Sequence, residues 1–208
     1  MNQNSQKRTR RERERERHRR EILEAALRVF ARAGYHRATM QAIAREAEFA
    51  VGTIYRFFPS KKALYEALVM EEAQKFHQEV MQSFKDLPHD PIKALERIIE
   101  AKLKAVQNHL TFVRVYLQEL WEARFRGGLT ADLRKLYEEY LEALAKVLER
   151  LGPQEISTKQ RASLVDGLLS TLIVEAVESK RELPSPKKVL SLLLSPLVSP
   201  GGGHVSKS

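Results

Sequence analysis

The chain has no cysteine among its 208 residues, which excludes a disulfide framework and a thiolate zinc site. No apolar run approaches the roughly twenty residues that cross a bilayer, and no secretory apolar core follows the basic N-terminus. The expected compartment is the cytoplasm, with no membrane partner. Glycine forms no phosphate-cradling loop, since Gly201-Gly202-Gly203 lies in the tail, and there is no nucleophile elbow. The six histidines, His18, His36, His77, His89, His109 and His204, include no pair at helical i, i+4 spacing with an acid. No catalytic residue, metal ligand, cofactor or internal repeat is therefore expected.

What is present is charge of one sign at one end. Residues 1–62 hold sixteen Lys or Arg against seven Glu, and the remainder is balanced at twenty against twenty, so the formal net charge of +9 lies wholly in the first part. A basic head of this kind is the electrostatic footprint of a nucleic-acid binder. The balanced remainder is rich in Leu, Val and Ala and long enough to bury its own core.

The head resolves into short helices. Ile22, Ala26, Val29, Phe30 and Ala33 recur at helical spacing, and Gly34 supplies the left-handed conformation that ends a helix. Thr39 is a good N-cap for the short helix from Met40 to Glu46. After a Glu48-Phe49-Ala50 turn, Val51 to Phe58 forms about two turns in which Ile54 and Phe58 share one face. Tyr55 and Arg56 then point elsewhere. Pro59 stops this helix and Ser60 caps the next. Lys61 and Lys62 stand in the first turn after Ser60, where the helix dipole disfavours cations. A docked DNA phosphate would explain that breach, the two ammonium groups and the backbone amides making a phosphate clamp. Ahead of the head, the alternating Arg and Glu of 11–20 place opposite charges three apart and either extend the first helix or stay disordered. Lys7, Arg8, Arg10 and Arg11 read either as an arm that follows phosphates or the minor groove, or as a solvated tail.

From Ile22 to Leu68 the residues resemble the TetR family of bacterial one-component transcription regulators. The resemblance rests on Gly34-Tyr35, Thr39, Ile43-Ala44, Gly52-Thr53-Ile54-Tyr55 and Phe58-Pro59-Ser60-Lys61. Departures are Glu48 where a Gly is usual, Phe57 where Tyr or His often adds a phosphate contact, and Ala50-Val51 where Ser-Lys or Ser-Pro is common. The resemblance implies an all-α fold: an N-terminal helix-turn-helix head fused to a larger helical body for ligand binding and dimerisation. The expected boundaries are a basic arm over 1–20, the DNA-binding domain over 21–67, the body over 68–196 and a flexible tail over 197–208. The candidate DNA-binding residues are Thr39, Gln41, Val51, Gly52, Thr53, Tyr55, Arg56, Lys61 and Lys62.

Beyond Leu68 the pattern is helical throughout. The spacing predicts helices over 61–85, 91–108, 111–125, 130–151, 158–181 and 187–194, with a break at Gly127-Gly128. The stretch from Thr111 to Phe125 is apolar nearly all round, so it is buried or lines a cavity. The candidate ligand pocket is Leu103, Val106, Val113, Tyr116, Leu117, Leu120, Trp121, Tyr140 and Leu144; plain core is the alternative reading of the same residues. In the helix from Thr158, small residues among leucines allow close approach of a second helix. By the resemblance, this helix and the one before it pair with their two-fold mates, which gives Leu164, Gly167, Leu168, Thr171 and Val174 as the candidate dimer interface. The implied function is a homodimeric repressor that binds a palindromic operator in double-stranded DNA and is released by a small lipophilic effector. A fatty acyl compound is the guess for that effector, on a weak similarity of Gly52-Thr53-Ile54-Tyr55 and 113–119 to fatty-acid-degradation regulators of the family. The alternatives are the same fold answering to a protein partner with no small-molecule effector, and a ligand-binding enzyme whose head merely resembles a DNA reader.

Overall fold

The computed structural model describes residues 9–123, 131–152 and 155–194, with 118–123 as backbone only. The Gly127-Gly128 break, the tail from 197, Lys7 and Arg8, and the side chains of Leu120 and Trp121 lie outside the described residues. Within them the chain is all helix: α1 (Arg10–Arg37), α2 (Met40–Glu46), α3 (Val51–Phe57), α4 (Lys61–Gln82), α5 (Pro91–Asn108), α6 (Leu110–Ala123), α7 (Ala131–Glu149), α8 (Thr158–Glu178) and α9 (Pro186–Leu194). None of these helices is long and apolar enough to cross a membrane.

Local chemistry accounts for the ends of the early helices. α1 starts at a capping box, in which the Thr9 hydroxyl accepts from Glu12 N–H and the Glu12 carboxylate accepts from Thr9 N–H. The Arg/Glu segment from Arg10 onward is therefore helical. Gly34 interrupts α1 with φ 73° and ψ 165°, and one further turn follows it before Ala38. Thr39 caps α2 by accepting from Ala42 N–H at 3.1 Å, and Ser60 caps α4 by accepting from Ala63 N–H at 3.1 Å.

The chain divides into two compact units, Met1–Lys75 with His109–Leu133, and Phe76–Asn108 with Arg134–Ser208. The division differs from the boundary the sequence suggests near residue 67, because α6 joins the head. It packs along α1, and Val115 enters a core formed by Ile22, Phe30, Ile43, Ile54, Phe58, Leu64 and Leu68. Val115 of α6 and Leu64 and Leu68 of α4 add walls to the core that α1, α2 and α3 share. The second unit has its own interior, built from Leu95, Ile98, Ile99 and Val106 of α5, Leu141, Leu144 and Leu148 of α7, Leu169 and Ile173 of α8, and Val189 of α9.

Candidate nucleic-acid interface and body interior

In the head, α2 and α3 are held from below by the side chains that face the core. Ile54 and Phe58 are buried together, as their four-residue spacing predicts. Tyr55 and Arg56 are exposed, Tyr55 at 47%, and Val51 at the start of α3 is exposed at 39%. Gln41 and Thr39 on α2 are exposed, and Thr53 is half-buried. A methyl group added at Gly52 would meet nothing within 4 Å, so no contact inside the protein requires glycine there. The turn between α2 and α3 carries Glu48 at φ 58°, a left-handed conformation occupied here without glycine. Phe49 in the same turn meets the edge of the His18 ring, centroids 5.0 Å apart, which ties the N-terminal part of α1 to the turn. Arg28 and Arg32 of α1 both donate to the Glu46 carboxylate at the end of α2. Those two hydrogen bonds hold the Glu46 pKa below the ordinary carboxylate range.

The two lysines proposed as a phosphate clamp part company. Lys61 turns back under the end of α1 and its ammonium donates to the carbonyls of Tyr35 at 2.8 Å, Ala38 at 2.9 Å and His36 at 3.1 Å. An ammonium has three N–H donors, so all are spent. The paired clamp is thus corrected: Lys61 ties the chain after Gly34 to the start of α4, and its cost against the helix dipole is met by carbonyl dipoles of the protein itself. Lys62 remains at the surface, its side chain 77% exposed and 3.8 Å from Glu66.

This arrangement, a short helix, a turn and a second helix with an exposed outer face, set on a basic head, is matched by the profile of bacterial regulatory proteins of the tetR family over residues 22–68. Residues 22–68 are thus similar to the TetR family. Among curated relatives, this chain is 24% identical over 138 residues to the HTH-type transcriptional regulator UidR of Escherichia coli K12, covering 55% of this chain and 70% of that one. It is 30% identical over 133 residues to the HTH-type transcriptional repressor KstR of Rhodococcus jostii, covering 64% of this chain and 57% of that one. Among solved structures, the fatty acid degradation regulator FadR of Bacillus halodurans superposes with a TM-score of 0.71 at 25% identity, over 86% of this chain and 96% of that one. Both of these curated relatives are transcriptional regulators.

The candidate pocket residues are divided between the two units. Val113, Tyr116 and Leu117 lie on α6 with the head; Val113 is buried, Tyr116 stacks on Phe112 at 5.6 Å, and burial pushes the Tyr116 phenol up to about 12. Leu103, Val106, Tyr140 and Leu144 are buried in the body. Beside them is a polar cluster that periodicity alone did not single out. The Lys102 ammonium of α5 pairs with Asp166 of α8, both buried. Tyr137 of α7 donates to the second oxygen of Asp166 at 3.0 Å, and Ser170 approaches the same oxygen at 3.4 Å. The ring of Tyr140 lies 4.7 Å from the Lys102 nitrogen. Burial, then the charge of Asp166 and a hydrogen bond to it, drive the Tyr140 phenol well above its ordinary value. A signal was available: Lys102 stands at core spacing with Ile98, Ile99 and Val106, and Asp166 with Leu169 and Ile173, an opposite charge on each of two apolar stripes.

Of the candidate dimer residues, three are exposed and two are partly covered by the protomer itself. Leu164 is exposed at 64%, Gly167 and Thr171 are exposed, and Leu168 and Val174 are half-buried. The opposite face of α8 buries Ala162, Leu169, Ile173 and Val177.

Proposed function

We propose that the protein is a homodimeric repressor whose paired heads read a palindromic operator and whose body answers to a small lipophilic effector. The observation that carries the DNA half is α3, a helix with one buried face and an outer face of Val51, Gly52, Tyr55 and Arg56 that no intramolecular packing requires. Tyr55 and Arg56 address base edges or adjacent phosphates, with Val51 and Gln41 as further base contacts. Thr39, Thr53 and Lys62 fix the register on the backbone. One such helix covers only a half-site, so two-fold pairing through the outer face of α8 is what makes binding specific.

The effector half rests on the apolar interior of the second unit around Leu103, Val106, Tyr140 and Leu144, and on the likeness to a fatty acid degradation regulator. Ligand in the body and DNA on the heads are linked equilibria, coupled along α4, a continuous helix that both units share. The test is fluorescence anisotropy of labelled operator with a panel of long-chain lipophiles. One compound is expected to weaken DNA binding by about five- to 150-fold, and DNA to weaken that compound equally. If no member of the panel binds or alters DNA affinity, a protein partner becomes the better reading.

A further inference from the structure

The buried cluster of Lys102, Asp166, Tyr137, Tyr140 and Ser170 is unequally satisfied. Asp166 is an acceptor with both oxygens engaged, one by Lys102 and the other by Tyr137 and Ser170, and the Tyr140 phenol is hydrogen-bonded to the same carboxylate. Lys102 is a donor with capacity to spare. Of its three N–H groups one goes to Asp166 and one is accommodated by the Tyr140 ring, and among the described residues no acceptor receives the third. Lys102 is thus paired with Asp166 yet keeps donor capacity that an added oxygen would use. Its side chain is 11% exposed, whereas Tyr137, which closes the cluster over Asp166, is 40% exposed as a residue.

We propose that this cluster is the head-group site of the effector, and that it selects a lipophile bearing a neutral carbonyl oxygen, such as an acyl ester, thioester or ketone. The inference rests on the lipophilic-effector reading above and specifies its chemistry. A neutral carbonyl fills the open N–H of Lys102 and adds no charge. A free carboxylate brings a second negative charge beside Asp166 in a medium where like charges repel strongly. A cationic head has no free carboxylate to recruit, because both oxygens of Asp166 are occupied. Leu103 and Val106 on the same helix as Lys102, and Leu144 on α7, are buried and apolar, the lining a hydrocarbon part would need. The site also lies on the inner face of the helix whose outer face carries Leu164, Gly167 and Thr171, since Asp166 and Ser170 both belong to α8. A head group seated on Lys102 beside Asp166 therefore sits against the helix proposed to hold the dimer.

The test is calorimetric binding of three chain-matched probes to the full-length protein: methyl laurate, laurate and dodecyltrimethylammonium. The ester is expected to bind at least tenfold tighter than either charged probe. Lys102→Met is expected to lower ester affinity by at least tenfold, and Asp166→Asn, which keeps the acceptor oxygen and removes the charge, to raise laurate affinity by a similar factor. The wild-type ranking stands as a test even where a variant does not fold. Equal affinities for the three probes with release of DNA would overturn the head-group site and leave the lipophilic-effector reading intact. An ester affinity unchanged in folded Lys102→Met would do the same. Absence of binding by all three, with operator binding retained, would overturn both.

Discussion

The ammonium of Lys61 lies 4.6 Å from the centre of the Tyr35 ring and donates to that same residue's carbonyl at 2.8 Å. Tyr35 is itself set among the rings of Phe30 and Tyr65, at 6.0 and 4.9 Å. The contact closes the head by joining the residue after Gly34 to the first turn of α4. Lys61→Met is expected to cost about 1.5–3 kcal/mol of stability, because charge-assisted hydrogen bonds are lost and carbonyls are left unmet. Its salt dependence of DNA binding should stay at the wild-type slope. Lys62→Gln should leave the urea midpoint unchanged and reduce that slope by about one counterion. The opposite pattern would restore Lys61 to the DNA backbone.

Gly52 separates folding from recognition. Glycine in a helix is about 1 kcal/mol worse than alanine, and open space surrounds the position. Gly52→Ala should therefore raise the melting temperature slightly, while operator affinity falls because the added methyl stands where DNA backbone or a base edge approaches. Unchanged operator affinity would remove Gly52 from the interface.

Glu48 holds a left-handed backbone at φ 58° in the turn between α2 and α3. Glycine carries no steric penalty there, so Glu48→Gly should stabilise the protein by about 0.5–1 kcal/mol after the entropy of the unfolded glycine is counted. A urea titration reads it directly, and destabilisation would show that the Glu48 side chain supports the turn.

Glu46 makes the head sensitive to acid. Its folded pKa is depressed by the hydrogen bonds from Arg28 and Arg32. Its contribution to stability is therefore fully present above the ordinary carboxylate pKa of about 4.3 and is lost as pH falls through the lowered folded value. Thermal melts between neutral pH and pH 3 should show Glu46→Gln losing less stability on acidification than the wild type. Parallel curves would assign the acid sensitivity elsewhere.

The proposed dimer face can be probed without disturbing the protomer. A methyl group added at Gly167 meets nothing within 4 Å inside the chain, and Leu164 stands out from α8. Gly167→Leu should overpack the dimer by about 1–3 kcal/mol, and Leu164→Lys should shift sedimentation toward monomer while leaving helix content intact. A persistent dimer in both variants would place the interface on another surface.

The sequence made the head legible because its signals are local. Thr39 and Ser60 cap the helices that follow them, Gly34 breaks α1, and Ile54 and Phe58 share a face, all from spacing within a few residues. Lys61 was misread because its partners are the carbonyls of residues 35–38, more than twenty positions away, and a helix-dipole argument sees only its own helix. The apolar character of α6 was legible, but not its destination: Val115 enters the head core, a long-range packing choice that periodicity does not encode. Lys102 and Asp166 were passed over because each looks like an exception on its own helix and becomes a pair only when α5 and α8 meet.

The central claim is that two α3 helices read one symmetric site. It is tested most directly by selecting binding sequences from random duplex DNA with the purified protein and measuring the stoichiometry of the best one. The account predicts an inverted repeat bound by a dimer, with half-site centres separated by about one helical turn or a multiple of it. An unenriched pool, or a single asymmetric motif bound by one protomer, would contradict it.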